Sequence, residues 1–228
     1  MHPMSGRGFF AIGFLVWFPW LPLDSLIPLY GQSTEHGALL GQFEVTYYYV
    51  AQERRDGDWP LFGPSCGTVL ARTSPEFHSV LSREGTGRLQ DGRLLNFAQR
   101  CPCARPGHRG SRICYEVLDV DLFPWGRGGL VSGRLAALKP FRSVAVDPAV
   151  IPLGTVLFIP QWAARHTPDG QRLDGCFRAE DTGRMIKNHR LDLFAGTPRW
   201  AQIFRKSAEL SHVTVFLGGE RCRGVFSG

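Results

Sequence analysis

The sequence holds no glycine-rich phosphate loop and no dinucleotide fingerprint, so the backbone cradles that bind nucleotides are missing and no nucleotide cofactor is expected. No internal repeat is visible, which excludes solenoids and propellers, and no low-complexity tract marks a disordered region. Charge is sparse, at 20% Asp, Glu, Lys and Arg, and the formal net charge is only +6. The basic residues are scattered, apart from a group holding Arg100, Arg105, His108, Arg109 and Arg112. That distribution argues against a nucleic-acid partner and suits a diffuse anionic one, such as an acidic glycan or a cell wall.

What is plentiful is glycine and proline, 27 and 16 in 228 residues, spread along the whole chain. With 43% hydrophobic residues this reads as many short strands joined by turns around one sizeable core, a mainly all-β fold rather than a helical bundle.

Arg7 precedes an uncharged run from Phe9 to Leu23. A bilayer span needs about 20 apolar residues, so the run is short for a spanning helix and close to the apolar region of an export signal. Residues 1–30 are therefore expected to be a signal peptide or an uncleaved membrane anchor. No Cys follows closely enough to imply a lipidated N-terminus. Residues 31–41 read as a polar, glycine-rich linker, and the folded part is expected over 42–228 as a monomer.

Six cysteines (Cys66, Cys101, Cys103, Cys114, Cys176, Cys222) behind an export signal point to an oxidising compartment and up to three disulfides. About 15 pairings are open. Cys101, Cys103, His108 and Cys114 form an alternative zinc set, although their spacing is not a standard one. No metal is counted in the expected site.

Phe43–Val50 has the β-branched and aromatic character of a first strand. Segments 66–71 and 77–81 read as further strands, and Asp91-Gly92 between leucine-bearing segments marks a hairpin. Residues 100–135 read as a Cys-rich insertion in which only Ile113–Val120 is strand-like. Strands are then expected at 143–146, 156–159, 177–179, 190–194 and 212–217. A helix is expected from about Pro198 to Lys206, capped by Thr197, with Trp200, Ile203 and Phe204 on its packed face.

Three aspartates stand among apolar neighbours: Asp147, Asp181 and Asp192. A carboxyl between Leu191 and Leu193 is partly desolvated, and a second carboxyl nearby disfavours double ionisation, so one of them can hold its proton near neutral pH as a general acid must. Taken singly, such an Asp is more often a turn-former.

The run from Val146 through Pro148, Pro152 and Gly154 to Pro160, then Ala179-Glu-Asp-Thr-Gly183, Ile186-Lys187 and Arg190-Leu-Asp-Leu-Phe194, resembles the 3D domain, named for its three aspartates. The strong resemblance covers about 141–217. It is shared with membrane-bound lytic transglycosylase A and with stationary-phase cell-wall muralytic proteins. It implies a double-psi β-barrel and cleavage of the bond from N-acetylmuramic acid to N-acetylglucosamine in peptidoglycan, with the muramic C6 hydroxyl as nucleophile and anhydro ends as product. By the same resemblance Asp192 is the catalytic acid and base, Asp181 the neighbouring carboxylate, and Asp147 a positioning residue. Thr46 and Tyr48 share one strand face, which the resemblance turns toward the substrate and which also fits ordinary barrel packing. Glu84, Gly85 and Thr86 correspond to the substrate-groove segment, and Thr182, Gly183 and Lys187 complete the expected binding set. Glu84 before Gly-Thr-Gly also fits a plain solvated turn, and Trp59, Trp125 and Trp162 fit either sugar stacking or core edges.

The family pattern D-T-G-G-A-I-K-G becomes Asp181-Thr-Gly-Arg-Met-Ile-Lys-Asn188 here, which puts larger side chains at 184, 185 and 188. Two other readings stay open. One is a barrel hydrolase whose two aspartates act on water, and the other is a non-catalytic wall-binding module like the expansins.

Overall fold

The computed structural model describes residues 36–65, 67–101 and 113–226; the expected leader, most of the linker and the 102–112 part of the insertion lie outside them. In chain order the strands and helices are β1 (Leu39–Tyr49), β2 (Ala51–Gln52), β3 (Trp59–Phe62), β4 (Val69–Thr73), α1 (Pro75–Glu84), β5 (Thr86–Arg88), β6 (Leu94–Arg100) and β7 (Ile113–Val117). They continue with β8 (Arg127–Val131), β9 (Arg134–Ala137), β10 (Ser143–Val146), β11 (Val156–Phe158), β12 (Cys176–Thr182), β13 (Arg190–Gly196), α2 (Pro198–Arg205) and β14 (His212–Leu217). The mainly-β expectation holds.

Six strands close into a barrel in the order β1-β13-β10-β12-β11-β14. Alternation along each strand explains the closure. Phe43, Val45 and Tyr47 on β1, Val144 and Val146 on β10, and Leu191, Leu193 and Ala195 on β13 all enter one core with Trp162, Phe177 and Phe204. Side chains on the alternate positions face away from that core. Trp162 is fully buried there, so it is a core residue and not a sugar platform.

Helix α2 forms as its cap predicts. The Thr197 side chain accepts from the Trp200 amide, Pro198 occupies the first turn, and Ala201 and Phe204 are buried. Ile203, expected on the packed face, is 46% exposed, because Ala201 at one-turn spacing from Phe204 takes that place.

A second layer fills the stretch between β1 and β10. Strands β2-β5-β6-β7 form a four-stranded sheet, with β3-β4 and β8-β9 as two-stranded sheets beside it. Residues 77–81, expected as a strand, lie instead inside α1. Ser74 caps that helix by accepting from Phe77, Pro75 opens it, and Gly85 closes it at φ 81°. Phe77 and Leu81 at helical spacing then bury against Leu61, Leu95 and Tyr115. The Asp91-Gly92 hairpin is present between β5 and β6, with Gly92 at φ 91°. The expected linker overlaps β1, whose Leu39 and Gly41 pair with Phe216 and Val215.

Disulfides join Cys101 to Cys114 and Cys176 to Cys222. The first removes the proposed zinc set, since a thiol in a disulfide is no metal ligand. Cys103 and His108 lie outside the described residues. Among the described residues, no helix is long and apolar enough to cross a membrane.

Candidate active site

The barrel's outward row carries the chemistry. In the strand registers Thr46 pairs with Asp192, Asp192 with Ala145, and Ala145 with Asp181, so four residues line up across β1, β13, β10 and β12. Asp181 and Asp192 thus flank Ala145, two strand spacings apart, which is about 9–10 Å between their Cα atoms. The methyl group of Ala145 leaves the space between the two carboxyls open.

Asp181 reaches this row through a bulge. Val144 pairs with Ala179 but Ala145 with Asp181, so Glu180 is an extra residue in β12. Ala179 is in the core while Asp181 faces the cleft, an outcome that regular alternation forbids and a bulge permits. Glu180 itself is buried and accepts hydrogen bonds from Ser143 and Arg178.

The two carboxyls are held differently. Both oxygens of Asp181 are occupied: Oδ1 accepts from the Thr182 amide at 2.8 Å and Oδ2 from the Tyr48 hydroxyl at 3.1 Å. Asp192 accepts through Oδ1 from the Thr46 hydroxyl at 2.8 Å, and its Oδ2 has no protein partner among the described residues. Burial pushes Asp192 up to about 7, with Glu84 and Asp181 adding to the rise and Thr46 and Arg205 opposing it. Burial also raises Asp181, to about 6, against the pull of the Thr182 and Tyr48 hydrogen bonds. Tyr48 is held far above the ordinary phenol range by burial and by its acidic neighbours. A carboxyl that titrates near neutrality and keeps one oxygen free is equipped to give and take a proton.

The opposite wall of the cleft comes from the second layer. The cavity, of about 890 Å³, is lined on one side by Tyr48, Ala145, Asp181, Thr182, Gly183 and Asp192, and on the other by Glu84, Gly85, Thr86, Asn96, Phe97 and Gly128. Glu84 spends both oxygens on the protein, Oε2 on the Tyr49 amide at 3.2 Å and Oε1 on Arg83 at 3.2 Å. The Tyr49 amide lies where β1 shifts register against β13 between Tyr48 and Tyr49. Glu84 therefore ties the end of α1 to an irregular point of the barrel, and burial raises its pKa. Thr86 donates to Asn96 at 2.6 Å, and Asn96 accepts from the Arg127 amide at 3.3 Å, which joins β5, β6 and β8.

Three expected site residues do not line the cavity. Asp147 does not line the cavity; its Oδ2 accepts from the Asn188 amide at 2.9 Å and its Oδ1 from Ala149 at 3.1 Å. These two bonds hold its carboxyl below the usual range. Lys187 is exposed and also lies off the cavity; its charge acts on Asp147. Thr46 does not line the cavity either and reaches it through Asp192. None of Trp59, Trp125 and Trp162 lines it. The exposed ring on its wall is Phe97, at 41%. Phe97 stands two residues from buried Leu95 on β6, a spacing that gives both the same face, so strand alternation offers no sequence signal for it. Among the described residues, no three His, Cys, Asp or Glu side chains are grouped to hold a metal ion.

A mainly-β chain with paired aspartates on a barrel rim is the class that fold and site define. Residues 142–206 match the family model of the 3D domain. Among solved structures, the membrane-bound lytic murein transglycosylase from Agrobacterium tumefaciens has a TM-score of 0.52 at 16% identity, covering 78% of this chain and 73% of that one. MltA from Neisseria gonorrhoeae has a TM-score of 0.50 at 17% identity, with 77% and 72% covered. These likenesses establish a shared fold. No curated protein matches the sequence.

Proposed function

We propose that this protein is an exported lytic transglycosylase that cuts peptidoglycan between N-acetylmuramic acid and N-acetylglucosamine. The observation that carries the reading is the contrast between the two rim aspartates. Asp192 lines the cleft and titrates near 7 with one oxygen free of protein partners among the described residues, while Asp181 has both oxygens occupied and titrates lower. Protonated Asp192 gives its proton to the glycosidic oxygen as the bond to the muramic C1 breaks. The positive charge that develops on the sugar ring is offset by Asp181, which its two donors keep closer to the ionised form. The C6 hydroxyl then attacks C1, and its proton returns to Asp192. The acid is regenerated, no water is consumed, and a 1,6-anhydro end is left.

The likeness to two transglycosylase structures supports the substrate class, and the two disulfides support export, because such bonds persist in oxidising compartments. A double-psi barrel is the finer fold reading. Parallel pairs β1/β13 and β10/β12 flank the antiparallel pair β10/β13 symmetrically, as two interlocked halves require. One chain supplies both walls of the cleft, so a monomer suffices. Asp147 acts at a distance, by fixing the loop that ends β12.

A second reading has one observation in its favour. Inverting hydrolases hold two carboxyls about 6.5–9.5 Å apart with a water between them, and Asp181 and Asp192 lie on strands separated by the one that carries the small Ala145. Digesting murein sacculi and identifying the released muropeptides by mass spectrometry separates the readings. Anhydro-muramic ends are expected, with none from Asp192→Asn; reducing ends would establish the hydrolase. Murein binding without any cleavage would leave a non-catalytic wall-binding module.

A further inference from the structure

The family pattern has glycine and alanine where this chain has Arg184 and Met185. In the structure these two residues are the corner positions of a tight turn, closed by the Ile186 amide donating to the Gly183 carbonyl at 3.1 Å. The turn is held at three points. Ile186 is buried, Gly183 lies so close to it that an added Cβ would meet Ile186 Cγ1 at 2.5 Å, and the Asn188 amide is bound by Asp147. Asn188 is at φ 54°, a left-handed conformation that Asn tolerates better than most residues and that suits the family's glycine. Arg184 has an ordinary negative φ, so its side chain is presented without strain on a fixed support.

Arg184 lines the cavity beside Asp181 and Thr182. The other arginines of the cavity are mostly spent: Arg83 pairs with Glu84 and Arg127 with Glu116. Arg184, like Arg100 on the far wall, has no carboxylate partner among the described residues. With the Asp192 carboxyl raised toward neutrality, the lip of the cleft next to the reacting groups carries an uncompensated guanidinium.

We propose that Arg184 is a specificity residue that binds a carboxylate carried by the glycan strand next to the bond to be cut. The inference rests on the transglycosylase reading and adds the substituent to it: strands bearing carboxylates are taken in preference to neutral amino-sugar polymers. A guanidinium fork matches a carboxylate in geometry as well as in charge, which a lysine does less well. The carboxylate has two sources on such a strand, the lactyl group of the muramic acid and the acidic groups of its peptide.

The test measures binding on the Asp192→Asn background with three probes. These are murein strands with peptides, strands stripped by an amidase so that only lactyl carboxylates remain, and the neutral oligomer chitohexaose. Arg184→Ala is expected to weaken binding of the anionic strands about fivefold at low salt and to reduce the salt dependence, with a smaller change for chitohexaose. Arg184→Lys should restore part of the loss and Arg184→Glu deepen it. A loss on the stripped strands assigns the lactyl carboxylate; a loss only on peptide-bearing strands assigns the peptide. An equal loss on all three probes, or no loss on the anionic ones, overturns the proposal. Failure of the underlying reading shows differently, as murein cleavage that survives Asp192→Asn.

Discussion

The Thr46 hydroxyl donates to Oδ1 of Asp192 at 2.8 Å, across the parallel pairing of β1 with β13, and Oδ2 keeps no protein partner among the described residues. That bond favours the ionised carboxyl and pulls its pKa down against burial. Because the first step needs Asp192 protonated, turnover should fall about tenfold per pH unit above about 7, the value at which this group titrates. Thr46→Val removes the bond and should move that alkaline limb to higher pH, while lowering the maximal rate through a looser carboxyl. A pH profile of muropeptide release checks both effects, and a limb that stays in place would separate Asp192 from the ionisation seen.

Glu84 should act with the opposite sign. Its charge helps to raise Asp192, so Glu84→Gln should shift the alkaline limb to lower pH. The amide can still accept from Tyr49 at the barrel's irregular point, so the fold should survive the change. Glu84→Ala also leaves that amide unpaired, and a buried unpaired group costs about 1–3 kcal/mol. Comparing thermal melts and pH profiles of the two variants separates the electrostatic part from the structural part.

The glycines under β12 predict a steric result. A Cβ on Gly128 would lie 2.2 Å from the Glu180 carbonyl oxygen and 2.9 Å from Leu138, so β8 sits directly on the bulge that aims Asp181. Gly128→Ala must push β8 or the bulge aside, at a cost of about 2–4 kcal/mol. Gly67→Ala, where nothing lies within 4 Å, should stay within about 0.5 kcal/mol of the wild type. Denaturant titration measures both. Activity of the Gly128 variant should fall further than its stability at assay temperature explains, since Asp181 moves with Glu180.

Much of the barrel was legible because alternation and turn residues are local signals. Strands at Ser143–Val146, Val156–Phe158, Arg190–Gly196 and His212–Leu217 appear where β-branched and aromatic runs end at glycine or proline. The cap of α2 is legible in Thr197-Pro198, and Ser74-Pro75 carries the same signal for α1, but the apolar and branched residues of 77–81 look locally like a strand. Pairing across the chain is not local. Nothing near Ala145 in sequence shows that it lies between Asp181 and Asp192, and the bulge at Glu180 exists only in the register with β10. The second wall of the cleft was legible only as Glu84-Gly85-Thr86. Its other members, Asn96, Phe97 and Gly128, join it through sheet contacts formed far from the aspartates in sequence.

The Cys176–Cys222 bridge should matter to the site as well as to stability. It anchors Cys176, where β12 begins, and Asp181 lies on that same strand. It spans 46 residues, and a crosslink of that length restricts the unfolded chain by about 4 kcal/mol on the chain-entropy estimate. Cys176→Ala with Cys222→Ala should lower the melting temperature markedly and should make wild type and variant alike under reducing conditions. A variant as stable as the oxidised wild type would show that the buried cluster of Phe158 and its neighbours holds this end without the bond.

The two raised carboxyls also set the direction in which stability changes with pH. Each prefers its proton in the folded state, at about 7 for Asp192 and about 6 for Asp181, against an ordinary value of 3.8. The stability this preference contributes is fully present below about pH 4 and is lost as pH rises through 6 and then 7. Asp192→Asn, which keeps the shape without the charge, should therefore be more stable than the wild type at pH 8, by on the order of 2 kcal/mol, with the gap closing below about pH 4. Urea titrations of both proteins across this range measure it. An active-site group that loses catalysis and gains stability when neutralised is one whose burial is kept for proton transfer. A variant less stable at pH 8 would instead mark Asp192 as a structural carboxylate.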